Sequence, residues 1–141
     1  MKYALDSSVA LKWVLPEPHA DKAIRLRDDF HQSVHELIAP DIFPVETLHA
    51  LTKAERQKRI VAGSGHILWQ SILADCPGLH SHISLLDRAY GIASAVRMGI
   101  YDCVYVALAE REGCELVTAD DRLIKNLQPQ FPFIIQLAGF P

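Results

Sequence analysis

Short runs of strand type alternate with longer stretches of helical period along the whole chain, which restricts it to an α/β domain around a mainly parallel sheet. Residues 2–5 form the first such run and end at Asp6, after which Ser7-Ser8 lead into the helical spacing of Val9, Leu11, Trp13 and Val14, stopped by Pro16. A second helix is expected from Pro18 to about Phe30. Residues 36–39 read as a short buried strand closed by Pro40, and Pro44 suits the first turn of a third helix, with Glu46 in that turn. That helix ends near Arg59 and Gly63. Residues 65–75 form another helix, broken by Pro77-Gly78, and residues 82–85 are expected as a further strand or an extended connection.

Residues 86–97 read as a helix with Gly99 at its C-terminal end, and Asp102 opens the next one. The helix 102–112 is apolar on nearly every side, as expected of an element buried in the domain. Residues 114–118 make a compact strand, Asp120-Asp121 start a short helix, and residues 133–137 supply a last β-rich run. No internal repeat or linker interrupts the 141 residues, so a single domain over 1–141 is expected, of a size that buries one core without disulfide or zinc staples.

The composition excludes several classes. Half of the residues are hydrophobic and 22% are charged, which rules out a disordered or collagen-like chain. The longest apolar runs, such as 104–109, are far shorter than the roughly 20 residues that span a bilayer, and Asp6 falls too early for a secretory signal. A cytoplasmic protein without a membrane span is expected. Cys76, Cys103 and Cys114 contain no C-x-x-C pair, so neither a disulfide framework nor a four-thiolate zinc site is indicated. His80-Ser81-His82 would put two imidazoles on one face of a strand, but zinc sites usually need three or four ligands, so a polar strand edge is expected. The net charge of −3 argues against coating nucleic acid by bulk electrostatics, so any such contact must be local.

Asp6 follows the first strand, Glu46 follows the second by a few residues, and Asp120 follows the strand 114–118, while Asp102 opens a helix. Taken singly, the aspartates are natural helix caps, and Glu46 suits a first turn facing the positive end of the dipole. Taken together they are more, because the carboxyl ends of parallel strands share one edge, where ligands characteristically bind. Clustered carboxylates raise one another's pKa unless a cation offsets them, and their hard oxygens suit magnesium or manganese. Phosphodiester hydrolysis is the reaction such a centre serves.

The segments Ala4-Leu5-Asp6-Ser7-Ser8-Val9, Pro44-Val45-Glu46, Gly99 through Ala109 around Asp102, and Leu116-Val117-Thr118-Ala119-Asp120 resemble the successive acidic motifs of PIN domains. Their order and spacing cover almost the whole chain. The resemblance implies a three-layer α/β/α sandwich with a mainly parallel sheet, Mg2+ or Mn2+ bound by Asp6, Glu46, Asp102 and Asp120, and endonucleolytic cleavage of RNA. It implies further that water attacks phosphorus without a covalent enzyme intermediate, leaving a 3′-hydroxyl and a 5′-phosphate. Ser8 matches a small polar residue that supports the first acid. Asp121 is expected either to replace or assist Asp120 or to be a plain helix-start acid, which suits it well, and the Thr-x-Asp spacing favours Asp120. Single short PIN domains resemble VapC toxins, which implies a cognate antitoxin and a homodimer.

Beside the acids, Lys53 and Arg56, with Lys58 and Arg59 beyond, are expected either to track an RNA backbone or to form a solvated helix face. Trp13, Leu15, Trp69 and Leu73 are candidates for an apolar groove or dimer face, with core packing the expected fate of most. Two other classes compete with a nuclease: a phosphoacceptor module and an idle binding module with an acidic magnesium pocket. The former wants a lysine near the end of its last strand, and residues 133–141 contain none.

Overall fold

The stretch β1 (Lys2–Leu5) becomes the central strand because nearly all of it can be buried: Tyr3, Ala4 and Leu5 are all inaccessible, as a strand covered on both faces requires. In the computed structural model, which describes residues 1–141, it is flanked by β2 (Glu36–Pro40) and β4 (Glu115–Thr118). Outside these lie β3 (Gly78–His80) and β5 (Ile134–Gln136), giving the order β3-β2-β1-β4-β5 with every neighbouring pair parallel. Ala4 sits opposite Ile38 on one side and Leu116 on the other.

Seven α-helices connect the strands: α1 (Ser7–Leu11), α2 (Ala20–His31), α3 (Phe43–Arg56), α4 (Ser64–Ala74), α5 (Leu86–Val96), α6 (Ile100–Glu112) and α7 (Asp121–Leu127). The steps β1→β2→β3 run one way across the sheet and β3→β4→β5 the other. Right-handed crossovers therefore put α1 to α4 on one face and α5 to α7 on the opposite face. The packing agrees, since α3 lies against α1 and α4, and α5 lies against α6. The result is the expected three-layer sandwich, with the whole sheet parallel.

The expected buried helix is α6, whose residues from Cys103 to Ala109 are all buried and which packs on β1, β2 and β4. Leu5, Leu37, Ile38, Leu108 and Leu116 meet in one apolar cluster, and burial of each such side chain contributes about 1.5–3 kcal/mol. No single helix is long and apolar enough to cross a membrane.

Several boundaries differ from the sequence reading. The strand expected at 82–85 lies instead at Gly78–His80, and Ile83–Leu85 form a 3-10 turn. Pro77-Gly78 reads as a helix breaker, but an edge strand tolerates proline and glycine at its start. The second helix begins at Ala20 rather than Pro18, because His19 adopts a left-handed backbone with φ 65°. The third helix stops at Arg56, short of Arg59, with Lys58 left-handed at φ 59°. Gly99 does not close α5: Arg97 takes the left-handed position there, and Gly99, at φ −63° and ψ 147°, is the N-cap of α6. The first helix stops at Leu11, and tight turns carry Trp13 into the core, where its indole donates to the Ala23 carbonyl at 2.9 Å.

Candidate active site

The order of the strands makes β1 and β4 the pair between which the chain reverses its direction of winding. Crevices outside the carboxyl ends of strands at such a switch point are where α/β sheets bind ligands. Asp6 leaves β1 at this point and Asp120 leaves β4 beside it.

Asp6 occupies the N-cap position of α1, yet its carboxylate caps nothing. Its Oδ2 instead accepts from Ser8 Oγ at 2.5 Å and from Thr118 Oγ1 at 2.9 Å. Each hydroxyl is itself held by a backbone amide: Ala119 N donates to Ser8 Oγ at 3.0 Å, and Asp120 N donates to Thr118 Oγ1 at 3.1 Å. Two amide–hydroxyl relays thus converge on one oxygen and fix the carboxylate, which is only 4% exposed. Burial pushes its pKa up, the two hydroxyls pull it down, and the charge of Asp120 pushes it up again. Ser8 is thus a direct hydrogen-bond partner of Asp6.

Asp120 keeps the capping role the sequence allowed. Its Oδ1 accepts from Arg122 N at 2.9 Å and Leu123 N at 3.4 Å, so the cap of α7 uses one oxygen. Asp102 is the third residue of α6 rather than its cap, because the helix begins at Ile100. Its pKa is pushed up to about 6, first by burial, then by Asp6 and Asp120, with the Arg122 guanidinium acting in the opposite direction.

Glu46 lies in the first turn of α3, where Pro44 is tolerated beside the helix start at Phe43. Burial raises its pKa to about 7; the nearby Tyr105 hydroxyl opposes the rise, while Asp6 and Asp102 add to it. Although close, neither Glu46 Oε1 nor the Tyr105 hydroxyl completes a hydrogen bond of ordinary geometry, and both are buried. An unsatisfied buried oxygen costs about 1–3 kcal/mol. A proton or a cation relieves it.

Each of the four acids is thus within electrostatic reach of others in the set, although no three carboxylates, as placed, stand close enough to share an ion. The donor set consists of hard carboxylate oxygens, one of them orphaned, which fits a hard divalent cation.

Asp121 is not brought into the group. It is exposed, its Oδ1 accepts from Gln136 Nε2 of β5 at 2.7 Å, and it is not among the charges that perturb Asp6, Glu46 or Asp102. Lys53 and Arg56 follow Glu46 along α3, exposed and without ion pairs, about 10 and 15 Å farther along the axis at 1.5 Å per residue. Arg59 turns instead to Glu17 at 3.5 Å. His80 and His82 do not face a common point: His82 Nδ1 meets Asp41 Oδ1 at 2.6 Å, and His80 Nδ1 lies 3.3 Å from Arg111. Trp13 and Leu15 are in the core, and Trp69 is partly buried, donating to the Pro44 carbonyl at 2.9 Å.

Thr118, Tyr105 and Arg122 were not assigned roles from sequence. Thr118 stood in the Thr-x-Asp motif without a function, and Tyr105 follows Asp102 by three residues, hence on the same helix face. Arg122 carries the weaker signal of a cation in a first helical turn, against the dipole.

The sequence pattern of the PIN domain family matches residues 3–127. Ribonuclease VapC3 of Pyrobaculum aerophilum is 28% identical over 139 residues, covering 96% of this chain and 98% of that protein. VapC ribonuclease Mb0985 of Mycobacterium bovis is 28% identical over 131 residues, or 93% and 95% of the two chains. Among solved structures, PAE2754 from Pyrobaculum aerophilum superposes with a TM-score of 0.69 at 22% identity, over 98% of this chain and 93% of that one. A chain of VapBC2 from Rickettsia felis, bound to a DNA fragment from its promoter, gives a TM-score of 0.66 at 14% identity over 96% and 97%.

Proposed function

The chain belongs to the PIN domain family, and from that premise we propose that it is a divalent-metal-dependent endoribonuclease, the toxin of a toxin–antitoxin pair. The relatives of nearly equal length that carry the name VapC ribonuclease support the activity, and the likeness to a chain of a VapBC assembly supports an antitoxin as partner. The observation that carries the reading is the set of four acids, within one another's electrostatic reach, around the β1/β4 switch point.

Asp6, Glu46, Asp102 and Asp120 are the residues that would hold Mg2+ or Mn2+. When bound, such an ion polarises the scissile phosphate and lowers the pKa of the attacking water. Ser8 and Thr118 hold Asp6 in one orientation, so that it need not reorganise when the phosphate arrives. Asp120 is fixed by its cap in the same way. Without a cation, Glu46, with a pKa of about 7, holds a proton at the orphaned Oε1 near neutral pH and would give it up when the ion binds; as the new P–O bond forms, the bond to the ribose 3′-oxygen breaks and that oxygen takes up the proton that water loses. Lys53 and Arg56 extend positive charge from this point along α3 and are placed to follow an RNA backbone. A single domain acting in the cytoplasm, as a homodimer, completes the reading.

The test is cleavage of single-stranded RNA by purified protein with Mg2+ or Mn2+. Chelation, Asp102→Asn and Asp6→Asn should each abolish cleavage while circular dichroism stays native. Undiminished cleavage by both variants would remove the proposal.

A further inference from the structure

Beside the four acids lies a cleft of about 830 Å3 that the reaction as described leaves unused. Ser7 and Glu46 form part of its lining, so it opens directly onto the acid centre. Its apolar lining comes from Ile42 just before α3, Val45 of α3, Leu86 of α5, and Ile100 and Tyr101 at the start of α6. The Tyr101 side chain immediately precedes Asp102 and is 61% exposed, and Val45 is 71% exposed. Large apolar groups held open to water in this way carry a solvation cost that a ligand relieves.

The polar lining includes the exposed His49 of α3, and at Asp41 and His82 it is ordered. Asp41 leaves β2, and its Oδ1 accepts from the backbone amide of His82 at 3.0 Å while meeting the ring Nδ1 at 2.6 Å. An ionised carboxylate only accepts, so this contact places the ring proton on Nδ1. Nε2 is then the ring nitrogen left for a ligand. A cleft with apolar walls, one open aromatic ring and a pre-oriented imidazole, continuous with a phosphate-cleaving centre, matches the parts of a nucleotide.

We propose that this cleft seats an unpaired nucleotide of the RNA substrate next to the scissile phosphate, with its base stacked on Tyr101 and its sugar toward His82. The proposal rests on the ribonuclease reading for the phosphate's position. Its volume lies in the range of pockets that enclose one small ligand, roughly 300–1,000 Å3.

The experiment uses the Asp102→Asn protein with Mn2+ and mixed-sequence single-stranded oligoribonucleotides carrying 2-aminopurine at successive positions. Binding should quench the fluorescence at one position. Adding Tyr101→Phe should keep that quenching, whereas Tyr101→Ala should lose it and weaken binding roughly 5- to 100-fold, the range of a stacked base. Thermal melting checks that the exposed substitution leaves the fold intact. Equal quenching, and affinity within about twofold, in the Tyr101→Ala protein would overturn the proposal. A fall in molecular mass on Tyr101→Ala with quenching unchanged would give the cleft to a second copy of the chain and overturn it equally. The native chain separates the two readings: failure to cut the same RNAs while Tyr101-dependent quenching persists removes the nuclease and keeps the base site. Cutting with Tyr101-independent quenching does the reverse.

Discussion

Thr118 Oγ1 donates to Asp6 Oδ2 at 2.9 Å, tying residues 112 positions apart in the chain across the junction of β1 and β4. The same hydroxyl accepts from Asp120 N at 3.1 Å, so one buried side chain joins two of the four acids. Thr118→Val keeps the volume and the β-branching but leaves Asp6 short of a donor and the Asp120 amide without an acceptor. We expect a loss of about 1–3 kcal/mol in chemical denaturation, the cost of stranding buried polar groups, together with reduced cleavage. Thr118→Ser, which retains the hydroxyl, should recover most of both.

The acids predict an inverted pH dependence for the metal-free protein. Glu46 is raised to about 7 from an ordinary 4.5, and Asp102 to about 6 from 3.8. Between those limits the folded chain binds more protons than the unfolded one, so stability falls as pH rises. The contribution is complete below about pH 4 and lost above about pH 7; at 1.36 kcal/mol per unit the two shifts would sum to about 6 kcal/mol, which solvent screening of these part-exposed, coupled groups reduces to on the order of 1–3 kcal/mol. Thermal melts from pH 5 to 8 should show it, and Glu46→Gln should flatten the curve. Because a cation needs ionised ligands, Mn2+ should raise the melting temperature more at pH 8 than at pH 6.

The half of the candidate site that lies at strand ends was legible in the sequence. Asp6 and Asp120 each follow a buried β run, and the run itself announces which edge they occupy. What the sequence hid were relations set by tertiary contact. Asp6 has the sequence signature of a cap, but the hydroxyls of Ser8 and Thr118 outcompete the helix amides for its carboxylate. Asp120 and Asp121 are adjacent and chemically alike; in the fold Asp120 caps α7 and acts on Asp6 and Asp102, whereas Asp121 turns to Gln136 on β5. The edge strand β3 was missed because three residues are too few to show an alternation and its pairing with β2 is what defines it. Tyr101 and Val45 lie inside the motif segments, each beside an acid, but their exposure becomes visible only when α3, α5 and α6 are brought together.

Lys53 and Arg56 stand two and three turns beyond Glu46 on α3, with no acidic partner to neutralise them. If they follow an RNA backbone, each contributes about one phosphate contact. Lys53→Glu with Arg56→Glu should then weaken binding of single-stranded RNA and reduce the slope of log affinity against log salt by roughly 1–2. Fluorescence anisotropy between 50 and 200 mM salt, on the order of the range where such slopes are read, checks both. An unchanged slope would reduce these residues to a solvated helix face.

Asp120 and its neighbour offer a clean separation of charge from structure. Asp120 Oδ1 caps α7 through Arg122 N and Leu123 N, and an asparagine amide oxygen caps as well as a carboxylate does. Asp120→Asn should therefore keep the melting temperature while losing cleavage and weakening Mn2+ binding in calorimetry. Asp120→Ala should lose the cleavage and also about 1 kcal/mol of stability with the cap. Asp121→Ala removes only an exposed bond to Gln136, so Mn2+ affinity should stay within about twofold of the native value, since exposed substitutions away from a site change energies by about 0.5 kcal/mol at most. Loss of Mn2+ binding in Asp121→Ala with retention in Asp120→Asn would exchange the two residues and move the centre toward β5.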